Sequence, residues 1–165
     1  TNRMGADGSF NSAWGVDGIF RLVGQDYLTI RIAQSFENEK INNPASLDPS
    51  RFYMNWQRRS KKGLGYDFGF SRAGKDYNPG IGYEQRENFT RISGEILYGR
   101  LPQNHSILHQ HRFSVEGFHV ADNNSGETQS SELGGGWLYQ TKNFFYGRLN
   151  DKHNIENVDD AIDLG

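Results

Sequence analysis

Residues 27–37, YLTIRIAQSFE, alternate strictly. Leu28, Ile30, Ile32 and Phe36 fall on one side of an extended chain, and Thr29, Arg31, Ala33 and Ser35 on the other. Successive side chains of a strand point to opposite faces, so the pattern predicts a strand with one apolar face. The same period recurs along the chain while helical periodicity is nearly absent. In RFYMNWQRRS, Phe52, Met54 and Trp56 oppose Tyr53, Asn55 and Gln57. In LGYDFGFSR, Leu64, Tyr66, Phe68 and Phe70 oppose Gly65, Asp67, Gly69 and Ser71. In FTRISGEILYGR, Ile92, Gly94, Ile96 and Tyr98 oppose Arg91, Ser93, Glu95 and Gly99. Residues 10–22 alternate too, as do 106–121, 130–141 and a shorter 144–150, more weakly. The expectation is an all-β fold of about eight antiparallel, up-and-down strands. The 20 glycines and 13% aromatics of this 165-residue chain suit such a fold.

Connector lengths add a second regularity. VGQD, KKG, LPQNH and KN are short; residues 38–50, 73–88, 122–129 and 151–165 read as long. Short and long alternate, and successive antiparallel turns lie at opposite ends of a sheet. All long loops therefore emerge at one end, as in outer-membrane barrels with tight periplasmic turns and extended outer loops.

Alternation alone does not say where the apolar face points. In a soluble barrel it lines the core; in a membrane barrel it meets lipid. The non-apolar face carries Asp17, Arg21, Arg31, Arg59, Asp67, Arg91, Glu95, Arg112 and Glu116, charges of both signs that a wet lumen tolerates. Phe36, Phe52, Phe70 and Tyr98 sit near strand ends, where aromatic girdles belong. The balance favours lipid outside and water inside. At 35% hydrophobic residues no stretch reaches the ~18 apolar residues of a membrane helix, but a spanning strand needs only ~9–11. A net charge of -2 provides no field for nucleic acid, and the absence of cysteine excludes disulfides and thiolate metal sites.

Candidate chemistry is sparse. His105, His109 and His111 lie close in HSILHQHRF, and on a regular strand His109 and His111 share a face, a spacing that can chelate zinc or copper. No carboxylate accompanies them there, so a place in the interface belt is the plainer reading. A serine hydrolase would need Ser93 or Ser114 beside a histidine, and alternation puts both on the other face. Glu95 and Glu116, on adjacent strands, could serve as a glycosidase pair; facing Arg91 and Arg112, they read instead as a lumen salt-bridge ladder. GLGYDFGF and LGGGW follow no phosphate-loop spacing. No cofactor is implied.

The most elaborate connector is KDYNPGIGYEQRENF, residues 75–89. Asn78, Pro79 and Gly80 are turn chemistry, and Tyr77 and Tyr83 could anchor the loop to a barrel wall or inside its mouth. DYNPGIGYEQRENFTRISGEILYG, through Asp76, Tyr77, Asn78, Pro79, Gly82, Tyr83, Arg86 and the strand from Thr90, resembles a signature of a family of uncharacterised Gram-negative outer-membrane proteins. Tyr77 stands where phenylalanine is more usual. GADGSFNSAWGVDGIFRLVGQDYLTIRIAQSFEN is similar to the same family's pattern of two strands. Such proteins join an N-terminal domain similar to family-nine carbohydrate-binding modules to a C-terminal membrane β-barrel. The resemblance concerns the barrel alone and implies location and architecture without an activity.

The opening TNRMGADGSF has no basic or apolar leader, which predicts either a cytosolic chain or an interior piece of an exported one. NIENVDDAIDLG reads as the start of an outer loop, so the expectation is an outer-membrane β-barrel segment spanning 1–165, part of a larger barrel. It would act as a pore, transport conduit or membrane anchor linked to carbohydrate handling. Its lumen and loop candidates are Asp76, Asn78, Pro79, Tyr83, Arg86, Arg91, Glu95, Arg112 and Glu116. Expected partners are outer-membrane lipid, other outer-membrane or periplasmic proteins and a glycan ligand. A soluble ligand-binding β-barrel and a barrel-embedded glycan or lipid hydrolase are the alternatives.

Overall fold

In a computed structural model, residues 2–4, 10–37, 45–60, 62–79, 87–102 and 106–156 are described. They form one antiparallel sheet whose spatial order follows the chain from β1 to β9, an up-and-down meander. The strands are β1 (Asn2–Met4), β2 (Phe10–Arg21), β3 (Asp26–Glu37), β4 (Ser50–Arg58), β5 (Gly63–Ala73), β6 (Phe89–Arg100), β7 (Leu108–Asp122), β8 (Thr128–Thr141) and β9 (Tyr146–Glu156). The eight long strands are those expected; the three-residue β1 is an addition at the edge. Among the described residues every strand contacts only its neighbours in sequence, and β1 does not meet β9, so the sheet is open.

Register carries the sequence alternation through the whole sheet. Leu28 pairs with Trp56, Trp56 with Phe68 and Phe68 with Gly94; Ile30 pairs with Met54, then Phe70, then Ile92. These rows stand on one face. Tyr27, Gln57, Asp67, Glu95 and Glu116 form one row of the other. Among the described residues no layer covers the apolar face: Trp56 is 42% exposed, Phe68 40% and Ile92 58%. The buried residues lie largely on the polar face, among them Thr29, Ser35, Asn55, Ala73, Phe89, Val120 and Ser130. The sheet is therefore concave on its polar side and convex on its apolar side. On the convex side Trp56, Tyr66, Phe68, Phe113, Trp137 and Tyr139 pack edge-on or stacked toward the short-turn end. Phe52 and Phe70 pair toward the other end. Met54 lies between the two groups on β4, whereas on β5 Tyr66, Phe68 and Phe70 follow one another along the face.

Three expectations about connectors are corrected. The tail from Asp151 does not leave as a loop: β9 runs to Glu156, paired with β8 from Gln140↔Tyr146 to Ser130↔Glu156. The free edge of β8 offers main-chain donors and acceptors whatever the side chains of its partner, and this overrides a polar sequence. The connector after β7 is residues 123–127, shorter than residues 101–107 between β6 and β7, so the alternation of short and long fails there. Ser50 and Ala73, expected in long loops, instead open β4 and close β5.

Candidate functional site: the concave face and its strap

The loop after β5 turns inward. Gly74 donates its N–H to the Ser50 carbonyl at 2.9 Å, and Asp76 to the Asp48 carbonyl at 2.9 Å. A Cβ on Gly74 would collide with the carbonyl oxygens of Leu47 and Asp48, so the closeness of this crossing requires glycine. The chain then runs past the ends of β4 and β3 to β2. The Asn78 N–H donates to Ser35 Oγ at 3.0 Å, and the Ser35 hydroxyl has the Asp76 carbonyl at 3.3 Å and the Pro49 carbonyl at 3.4 Å as acceptors. Asn78 Nδ2 donates to Glu37 Oε1, while Asn11 Nδ2 donates to Glu37 Oε1 and to the Asn78 carbonyl, each at 3.0 Å. Asn11, Ser35 and Glu37 belong to the polar face, so residues 74–79 form a strap across the long-loop end of the concave side. Asp76, Asn78 and Pro79 are thus brought together on the strap. Tyr83 and Arg86, with Gly80 and Gly82, lie outside the described residues.

A second tether closes the same end from the other side. Asn123, in the turn after β7, donates Nδ2 to the Ala73 carbonyl at 2.8 Å and its N–H to the Asn88 carbonyl at 2.9 Å. Its Oδ1 accepts from the Thr90 hydroxyl at 2.6 Å. Asn88 takes a left-handed backbone, φ 54°, and its side chain donates to Asp122 at 2.9 Å. Asparagine tolerates that conformation better than most residues.

Below these tethers lies a trough of about 700 Å³, whose lining includes Arg51, Tyr53, Asn55, Arg91, Ser93 and Phe118. It runs toward a row of like charge. Asp67 pairs with Glu95, and Glu95 with Glu116. The expected ladder from Glu95 and Glu116 to Arg91 and Arg112 takes a different form. Arg91 lies over the Phe118 ring, 4.4 Å from its centroid, and Arg112 sits between Gly99 and Leu138, in another row of the face. The cation for Glu116 is Lys152 of β9, at 3.6 Å, which also bridges Glu132 at 2.6 Å. Gly134 stands between Glu116 and Lys152 in register, and a Cβ there would crowd the Lys152 side chain. Asp67 accepts from Asn55 Nδ2.

The histidines separate from this face. Between β7 and β8 the register slips at Leu108/Gln110, a bulge that makes His109 the extra residue and breaks the alternation linking it to His111. His111 packs edge-on against Phe113 on the convex face, ring centroids 5.5 Å apart. His105 lies outside the described residues. Among the described residues no three His, Asp or Glu side chains cluster as a metal would need. Ser93 and Ser114 stand on the concave face, opposite to His111.

On the convex face near the short turns, Arg58 makes a two-pronged ion pair with Asp26, Nε to Oδ1 at 2.6 Å and Nη2 to Oδ2 at 2.8 Å. Tyr66 donates its hydroxyl to the same carboxylate at 3.1 Å. Alternation put these residues on the apolar side, and nothing in the sequence marked them as a triad.

Sequence reasoning missed Asn11, Ser35 and Glu37 as strap anchors, and Arg51, Tyr53 and Phe118 as trough residues. The anchors carry no local signal. Phe89, Phe118 and Val120 did carry one, since each is apolar where alternation calls for a polar residue.

Comparison of the chain with protein-family models, with curated proteins and with solved structures finds no match.

Proposed function

We propose that this chain is a segment of an outer-membrane β-barrel whose concave face lines a water-filled lumen. Its role would be a conduit for polar solutes or a membrane anchor linked to carbohydrate handling. One observation carries the reading: the apolar side chains stand uncovered on the convex face, while the polar and charged ones line the concave face. A soluble protein rarely leaves so broad an apolar surface to water, whereas a bilayer covers it. The aromatic side chains toward both ends of the convex face support the same orientation. The strap adds support for a conduit, because it crosses the inner side, where it would narrow a lumen. The carbohydrate link rests on the sequence resemblance alone.

A soluble ligand-binding barrel would need the apolar face inside, and the exposure of Trp56, Phe68 and Ile92 weighs against that. A serine hydrolase gains nothing from the geometry, with Ser93 and Ser114 facing away from His111. The test is the full-length protein in and out of detergent. Dependence on detergent for a monodisperse folded state is expected; a stable monodisperse protein without it overturns the reading. Conductance in planar bilayers then separates conduit from anchor.

A further inference from the structure

Three apolar side chains interrupt the concave face side by side. Register sets Phe89 opposite Asp122, Arg91 opposite Val120 and Ser93 opposite Phe118. Phe89 and Val120 are buried with Ala73, and Phe118 packs against them while only half-buried itself. A structural plug would need no cation over its edge, yet the Arg91 guanidinium lies on the open ring of Phe118. Arg91 makes no ion pair with any described residue. Arg51 and Tyr53 line the opposite wall of the same trough, and Ser71, Ser93 and Ser130 contribute hydroxyls.

We propose that this trough binds a small organic anion carrying an apolar ring. A guanidinium stacked on an aromatic face keeps its edge donors available, and that planar fork matches a carboxylate. Phe118 and Tyr53, whose ring carries the Arg31 guanidinium at 5.4 Å, supply surface for the ring, and the buried Phe89 and Val120 form an apolar floor that excludes water on one side. The acidic row Asp67, Glu95, Glu116 begins with Asp67 in the lining of the trough itself, at its short-turn end. It repels a carboxylate from that direction and holds the anion toward the strap. The inference deepens the reading of the concave face as a lumen by naming the class of solute it takes, and it rests on that reading.

The experiment is equilibrium binding to the full-length protein, in the medium that keeps it monodisperse, at constant ionic strength. The probes are benzoate, the neutral benzamide and the cation benzamidinium. Benzoate is expected to bind about tenfold or more tighter than benzamide, the scale of a charge-assisted contact. Arg91→Gln should bring benzoate down to the benzamide level, Arg91→Lys should fall between, and Phe118→Leu should weaken both ligands. Arg100→Gln, on the convex face of β6 and outside the trough, should change neither, which controls for folding and net charge. Equal affinity for benzoate and benzamide, tightest binding of benzamidinium, or an Arg91→Gln variant that still prefers benzoate overturns the proposal. Absence of bilayer conductance removes the conduit while leaving this binding result intact; conductance without benzoate preference removes only the anion site.

Discussion

Ser35 Oγ accepts the backbone N–H of Asn78 at 3.0 Å, across a sequence separation of 43 residues. Ser35 is 1% exposed and Asn78 is exposed, so this half-sheltered bond anchors the strap to the polar side of β3. Replacing Ser35 by alanine removes this hydrogen bond, at a cost of about 0.5–1.5 kcal/mol. Hydrogen exchange at that amide should accelerate by up to roughly tenfold, with the β3–β4 amides unchanged. Unaltered exchange would mean that the strap is held without Ser35.

Gly74→Ala tests the crossing itself. The new methyl meets main-chain carbonyls of residues 47 and 48, which cannot swing aside as a side chain can. Overpacking of this kind costs about 1–3 kcal/mol. Limited proteolysis should then cut within residues 74–79 of the variant and spare the parent protein.

Ile92→Arg distinguishes lipid from water at the convex face. Ile92 is 58% exposed and stands fourth in β6, paired with Phe70 on the convex face. Facing hydrocarbon, an arginine there costs about 2–4 kcal/mol, and facing water a surface change stays within about 0.5 kcal/mol. Unfolding of the full-length protein from lipid vesicles measures the difference, and the larger loss is expected.

Glu95→Gln addresses the acidic row. Glu95 stands between Asp67 and Glu116, and like charges directly opposite on neighbouring strands destabilise a pair by about 0.2–1 kcal/mol. The variant should be more stable than the parent by that order at low ionic strength, with the gain fading in 1 M salt as screening shortens to about 3 Å. Denaturant midpoints at two salt concentrations check it. A loss of stability would mean that Glu95 has a favourable partner in the assembled protein.

Much of the sheet was legible beforehand. The span 89–100 matches β6, and Ile30, Met54, Phe70 and Ile92 line up across four strands as their parity required. The second half of β9, from Asp151, was not legible: its outer-face register positions include Asp151 and His153, and only the edge of β8 draws that segment into the sheet. His109 and His111 looked like neighbours on one face until a bulge, invisible in composition, interrupted their strand. The strap loop was singled out, but its path to Asn11, Ser35 and Glu37 was not.

By itself the sequence determined which side chains share a face wherever a strand runs without a bulge, because an extended backbone alternates with a period of two. Tertiary structure alone decided which way the sheet curves, where residues 74–79 dock and what lies over Phe118. Those outcomes join residues as far apart as Asn11 and Asn78, a separation of 67, and no local pattern encodes a contact that exists only once intervening strands have paired.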